Sequence, residues 1–221
     1  MTMVVDERLF TYISSLDGPL PEYLDSIRQQ AVDEEVPIIR TDMQMLMKWL
    51  MTSYRPKRIL EIGAAVCFSA LLMAEYDADA QITTIENYEP RIVKAKENIA
   101  SSPHWDRVKL LEGDAADILP SLTEQGKYDF VFMDAAKGQY PALLPVVLGL
   151  MDEGAVLVTD NVLFDGDIIE SKYLIKRRNR TIHTRMREYL YTLTHTEGLV
   201  TTVLPVGDGV SLSVKKNGQK M

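Results

Sequence analysis

Three oxygen-bearing residues set the first chemical question in this sequence. Asp134, Asp160 and Asn161 are hard donors, with no cysteine or histidine next to them. Such a set suits Mg²⁺, Mn²⁺ or Ca²⁺ rather than structural zinc, and leaves positions open for water and substrate oxygens. Asp160-Asn161 taken alone also reads as a turn with self-capping side chains. Lys137 follows Asp134 by three residues. A lysine beside such a site can serve as a base, whereas in isolation it is an ordinary surface residue. Further acids stand at Glu61, Glu86 and Asp114, each at or just after the end of a short apolar run.

Those runs are the elements that must position the acids. Residues 58–62, 81–86, 107–112, 128–133 and 155–159 have the composition of strands. Helical patterns separate them, from Gly63 to about Tyr76, from Glu89 to about Ala100, after Asp114, and from about Tyr140 to Met151. Alternation of this kind means βαβ units and a parallel sheet covered on both faces, with right-handed crossovers. Ligands of an open α/β sheet bind beyond the carboxyl ends of its strands, which is where all five runs deliver an acid.

The flanking segments complete the architecture. The first fifty residues carry helical spacing over 6–15, 21–33 and 43–53, with Thr41-Asp42 as a candidate cap and the methionines of the third helix expected in the core. After Asp160 comes an irregular stretch, then a helix over roughly 181–195. Two last β-like runs, 199–205 and 210–214, flank Gly207-Asp208-Gly209, a hairpin signal. A hairpin cannot join parallel strands, so the sheet is expected to end with an antiparallel strand. We expect one Rossmann-like α/β domain over 1–221, mostly parallel and seven-stranded, with a helical extension at 1–54 and the core at 55–221.

The first loop, Glu61-Ile-Gly-Ala-Ala-Val-Cys-Phe-Ser69, has one glycine. A dinucleotide loop wants G-x-G-x-x-G, and a Walker loop wants G-K-[ST]. The expected ligand is therefore a nucleoside without a phosphate chain. Glu86, 23 residues after Gly63, occupies the position from which a carboxylate accepts hydrogen bonds from ribose hydroxyls.

Composition narrows the rest. The single cysteine, Cys67, rules out an internal disulfide framework, and three histidines make a histidine-rich metal site a poor expectation. No apolar run reaches transmembrane length and the N-terminus carries acids early, so a cytoplasmic protein without a membrane partner is expected. The net charge of -8 is an average over two unlike regions. Residues 172–187 hold seven cations and no acid, leaving 17 cations against 32 acids elsewhere, a net of -15. This strip is a candidate phosphate-contacting surface, or else a basic face that pairs with the acidic remainder. Tyr173, Tyr189 and Tyr191 suit base stacking or ordinary packing equally.

Taken in order, Leu60-Glu-Ile-Gly63, Glu86, Gly113-Asp114-Ala115, the run from Tyr128 to Lys137 and Val158-Thr-Asp-Asn161 resemble the metal-dependent class I O-methyltransferases of the caffeoyl-CoA and catechol type. The resemblance runs from about Val36 to the C-terminus. Within that family the segment from Lys176 to Glu188 makes the chain most similar to bacterial tRNA 5-hydroxyuridine methyltransferases. The resemblance implies S-adenosylmethionine (SAM) as methyl donor and Mg²⁺ or another divalent cation as cofactor. It implies that Glu61, Gly63 and Ser69 line the methionine side, Glu86 the ribose, and Asp114 with Ala115 the adenine. Asp134, Asp160 and Asn161 would hold the metal, with Asp134 also near the cofactor, and Lys137 and Asp134 would be catalytic. Lys176, Arg177, Arg178, Arg180 and Arg185 would contact RNA at a tRNA anticodon loop, and a homodimer is expected by analogy. Three functions follow as alternatives: a tRNA wobble-uridine O-methyltransferase, a small-molecule catechol-type enzyme, and a non-catalytic binding module. One departure stands out, since the family usually has a second glycine where this chain has Cys67.

Overall fold

The computed structural model describes residues 6–216 and residue 218, so the start of the N-terminal stretch considered above, residues 1–5, lies outside the described residues. Seven strands form one sheet: β1 (Arg58–Ile62), β2 (Gln81–Glu86), β3 (Val108–Glu112), β4 (Tyr128–Met133), β5 (Met151–Thr159), β6 (Leu199–Leu204) and β7 (Val210–Lys215). Their order is β3-β2-β1-β4-β5-β7-β6. Strands β1 to β5 pair in parallel, and β7 is antiparallel to both β5 and β6. The hairpin is present, and β7, the last strand in sequence among the described residues, is the antiparallel one, as expected; in space it lies inside the sheet and β6 is the edge. The burial explains the choice: Val210, Ser211 and Ser213 of β7 are buried, whereas β6 exposes Val200.

Among the described residues eight α-helices accompany the sheet: α1 (Glu7–Ser14), α2 (Glu22–Asp33), α3 (Thr41–Tyr54), α4 (Phe68–Tyr76), α5 (Glu89–Ser101), α6 (Ala115–Ser121), α7 (Tyr140–Leu150) and α8 (Arg180–His195). Strand side chains alternate between two cores. Ile59, Phe130, Phe132, Val156 and Val158 pack with α2, α3 and α4. Leu60, Ile62, Val131, Met133 and Leu157 pack with α6, α7 and α8 on the other face. The methionine stripe of α3 belongs to the first core, with Met43, Met47 and Met51 all buried. Asp42 lies in the first turn of α3 rather than capping it; Arg40 is the N-cap residue, and it makes no side-chain cap bond. Among the described residues, no helix is long and apolar enough to cross a membrane.

The sheet order places the switch point between β1 and β4. β1 is followed in sequence by β2 on one side, and β4 by β5 on the other, so the connections leaving these two strands diverge and open a crevice at their carboxyl ends.

Candidate active site

A cavity of about 540 Å³ fills that crevice. Gly63, Glu86, Ala115, Asp134, Lys137, Asp160 and Asn161 all line it, although they come from five separate connections. Gly63 has φ +101°, and a Cβ there would collide with the backbone carbonyl of Asp134, so this position needs glycine. The Asp134 N–H donates to the Ile62 carbonyl at 2.9 Å, which clamps the loop after β4 against the loop after β1. Glu86 is buried and holds the first loop: one carboxylate oxygen accepts from the Ala65 N–H at 2.7 Å, the other from the Asn87 and Tyr88 N–H groups at 3.0 Å each.

Electrostatics sharpen the metal-facing side. Burial, followed by the charge of Asp160 and of Glu61, pushes the Asp134 carboxyl above its ordinary range. Burial also raises Asp160, against the opposing hydrogen bonds from Asn161. Lys137 draws both back toward the charged form. A buried Asp160 and a half-buried Asp134 facing one cavity favour a cation between them, and the donor set fits a hard divalent one. Among the described residues no three acids, histidines or cysteines gather at metal-binding distance; the Asn161 amide is a further oxygen-bearing group on the same cavity. Asn161 adopts φ +59°, and its N–H donates to the Asp160 carboxylate at 2.7 Å. The self-capping turn considered from sequence is therefore real, and it faces the cavity. Lys137 reaches into the same space, its ammonium 2.9 Å from an Asp208 carboxylate oxygen and 5.2 Å from the Phe164 ring centre.

Residues 13–216 match the family model described as O-methyltransferase. The chain belongs to the O-methyltransferase family. A catechol O-methyltransferase of Niastella koreensis is 29% identical over 176 residues, covering 77% of this chain and 79% of that relative. The SAM complex of TomG, an O-methyltransferase of Streptomyces achromogenes involved in tomaymycin synthesis, superposes with a TM-score of 0.82 at 25% identity, over 95% of this chain and 96% of that one. The SAH-bound methyltransferase PaMTH1 of Podospora anserina gives 0.83 at 27% identity, over 96% and 95%.

Not every expected residue of this O-methyltransferase reaches the cavity. Glu61 is fully buried below it, accepting from the Ser69 and Thr84 hydroxyls at 2.5 Å each. Burial pushes its carboxyl up to about 7, opposed by those two hydroxyls. Glu61 and Ser69 thus tie α4 to β1 and β2 and do not line the cavity, because strand alternation turns Glu61 into the packing against α4. Asp114 caps α6 by accepting from the Ala116 N–H at 2.8 Å, while its neighbours Gly113 and Ala115 line the cavity. Cys67, at φ +68°, takes the left-handed backbone that a glycine would favour. Its side chain is buried in the α2–α4 core, not in the cavity.

The basic strip also divides. Arg180 donates to the carbonyls of Ile175 and Tyr173 at 3.1 Å each, and Arg185 to that of Gly138 at 2.9 Å. These two arginines fold the segment and fasten it beside Lys137. Lys176, Arg177 and Arg178 are exposed. Among the described residues, none of the strip's seven cations forms an ion pair with a carboxylate, which disfavours pairing with the acidic remainder. Tyr189 is fully buried, its hydroxyl 2.6 Å from that of Thr159, so it packs rather than stacks a base. Tyr173 and Tyr191 are exposed.

Sequence reading missed four charged cavity residues. Arg40, Arg91, Asp165 and Asp208 all line it. Asp208 was visible only as a turn residue. The clue was an acid inside a G-D-G hairpin on a chain whose other turns at that edge are acidic.

Proposed function

We propose that this chain transfers a methyl group from SAM to a hydroxyl that has a second oxygen beside it, and that the acceptor is 5-hydroxyuridine at the tRNA wobble position. The gathering of Asp134, Asp160, Asn161 and Lys137 on one cavity carries the reading. Solved relatives that bind SAM or SAH support the donor. Gly63 lets the first loop approach the methionine side, the Glu86 carboxylate keeps one lone pair, on the oxygen that meets Ala65, for a ribose hydroxyl, and Ala115 borders the adenine. Asp134, Asp160 and Asn161 would hold the divalent cation. When bound, that cation supplies Lewis-acid stabilisation of the ionised hydroxyl and orients the acceptor through its two oxygens. The acceptor oxygen attacks the methyl carbon in line as the carbon–sulfur bond breaks, its electron pair leaving with sulfur. Lys137, ion-paired as it is with Asp208, serves as the electrostatic partner of the developing oxyanion.

The RNA part of the proposal rests on the strip. The exposed Lys176, Arg177 and Arg178 and an exposed Tyr173 stand on a segment fastened by Arg185 to the loop that carries Lys137. A small catechol is the second reading, favoured by the name of the Niastella koreensis relative. Purified protein with SAM and Mg²⁺ is to be offered 5-hydroxyuridine-containing tRNA and free catechol separately. Formation of 5-methoxyuridine, seen by nucleoside mass spectrometry, is the expected result. Efficient turnover of catechol with none of the tRNA establishes the second reading instead. The exposed Leu9, Tyr12 and Ile13 of α1, with the exposed Leu16 just after it, support a homodimer interface, which sedimentation velocity tests.

A further inference from the structure

The turn between β6 and β7 makes more contacts than a hairpin needs. The Gly207 N–H donates to the Asp42 carboxylate at 2.7 Å, which reaches across from the start of α3. The Asp208 carbonyl accepts from the Leu163 N–H, and the Gly209 carbonyl from the Val162 N–H, at 2.9 Å each. One Asp208 carboxylate oxygen accepts from the Asp165 N–H. The other meets the Lys137 ammonium at 2.9 Å. Three consecutive residues therefore bind three segments that are 165, 71 and 43 residues away at their side-chain contacts. Gly209 has φ +83°, and a Cβ there would collide with the Leu163 side chain, so the close approach is built into the turn.

The placement matters because Lys137 has a long, flexible stem on a short 3₁₀ turn, Lys137–Gln139. Its second contact is the Phe164 face, which restrains the ammonium without setting its direction. The Asp208 carboxylate supplies that direction. Both ends of the pair are largely sheltered, with 22% of the lysine side chain and 13% of the aspartate exposed, so solvent screens it less than a surface pair. We propose that Asp208 is a positioning residue for methyl transfer, holding the Lys137 ammonium at the cavity while the same carboxylate fixes the Asp165 loop. This rests on the functional reading above and adds to it the residue through which the C-terminal hairpin enters the reaction.

Asp208→Asn is the sharpest test. The amide oxygen keeps an acceptor for the Asp165 N–H, and the NH₂ group meets the lysine donor to donor. With whichever acceptor the wild type turns over, kcat is expected to fall by about tenfold to 100-fold. The SAM KM and the calorimetric Kd for SAH stay within about twofold, since Asp208 lies on the acceptor side. In a Lys137→Ala background the same substitution lowers kcat no further, because Asp208 acts through the lysine. Asp208→Glu, which retains the charge one methylene further out, recovers part of the lost kcat and covers the case in which the asparagine variant does not fold. A kcat within twofold of wild type for Asp208→Asn, losses that multiply in the double variant, or Asp208→Glu no better than asparagine overturns the inference alone. A wild type that methylates neither acceptor overturns the functional reading, and the inference with it.

Discussion

The rim of the cavity and the strip over 172–187 are adjacent and solve opposite electrostatic problems. At the rim, Asp134 and Asp160 are largely withdrawn from water, and burial opposes the charge of both, helped by a neighbouring carboxylate, Asp160 for Asp134 and Asp208 for Asp160. On the strip, Lys176, Arg177 and Arg178 stay in solvent, with no carboxylate partner among the described residues. Burial amplifies every charge at the rim, and hydration mutes each one on the strip. A change at the rim should therefore act on the chemistry in an all-or-none way, whereas changes on the strip should be graded and sensitive to salt.

Asp160→Ala is the strongest test of the rim. It removes one of two carboxylates from the donor set and is expected to lower kcat by at least about 100-fold. Chelator should reproduce the loss in the wild type. The rise in melting temperature that Mg²⁺ gives the wild type should vanish in the variant, a readout independent of turnover. Full activity in excess EDTA would remove the rim's distinction from the strip altogether.

Arg177→Ala with Arg178→Ala asks the matching question of the strip. Two phosphate contacts contribute about two units to the slope of log K against log salt, and tRNA binding should weaken on the order of tenfold at low salt. Turnover of a free small-molecule acceptor should not change. Arg185→Ala is predicted to behave differently, because its guanidinium holds Gly138 beside Lys137. It should lower kcat for either acceptor. A salt slope unaffected by the paired substitution would return the strip to the status of a solvated surface.

The two regions were also unequally legible. Strand ends and their acids follow from alternation and turn chemistry, so Glu86, Asp134, Asp160 and Asn161 could be placed at one edge before any coordinates. Glu61 and Ser69 could not be told from cavity residues, because their fate depends on which way β1 turns one side chain. The hairpin at 207–209 was legible as a turn. Nothing local specifies that β7 rather than β6 pairs with β5, and this long-range choice is what brings Asp208 to Lys137. On the strip, composition revealed the charge. It could not reveal that Arg180 and Arg185 donate to backbone carbonyls, since the Arg180 partners depend on how the irregular segment before α8 folds back and the Arg185 partner lies 47 residues away.

The rim's charge also predicts a pH dependence for the metal-free protein. A carboxyl whose pKa is raised on folding binds its proton more tightly in the native state, so native stability falls as pH rises. The fall should begin near the ordinary aspartate value, about 4, and continue through about 7, where Asp134 and Glu61 are half ionised. The melting temperature of the metal-free protein should drop through this window. In Asp160→Asn the drop should be smaller, because one buried charge is gone and its repulsion of Asp134 with it. Mg²⁺ should stabilise the wild type more at pH 8 than at pH 5. Parallel slopes for the two proteins would mean that the rim carboxylates titrate as exposed acids do.

The smallest expected effect is at Cys67, and it separates strain from charge as the source of the rim's sensitivity. Its left-handed backbone costs a non-glycine residue about 1–2 kcal/mol. Cys67→Gly relieves that cost. The same change strips a fully buried side chain from the α2–α4 core, a loss of about 1 kcal/mol, and adds about 0.4–1 kcal/mol of unfolded-chain freedom. The contributions nearly cancel, so the melting temperature should move by no more than about 4 °C. SAH affinity should stay within about twofold, because the Cys67 side chain does not line the cavity. Cys67→Val meets the same backbone with a β-branched side chain, for which positive φ is far less accessible, and should be clearly destabilising. If glycine instead tightened SAH binding strongly, strain in the first loop would be limiting the cofactor side, and charge alone would no longer account for how the rim differs from the strip.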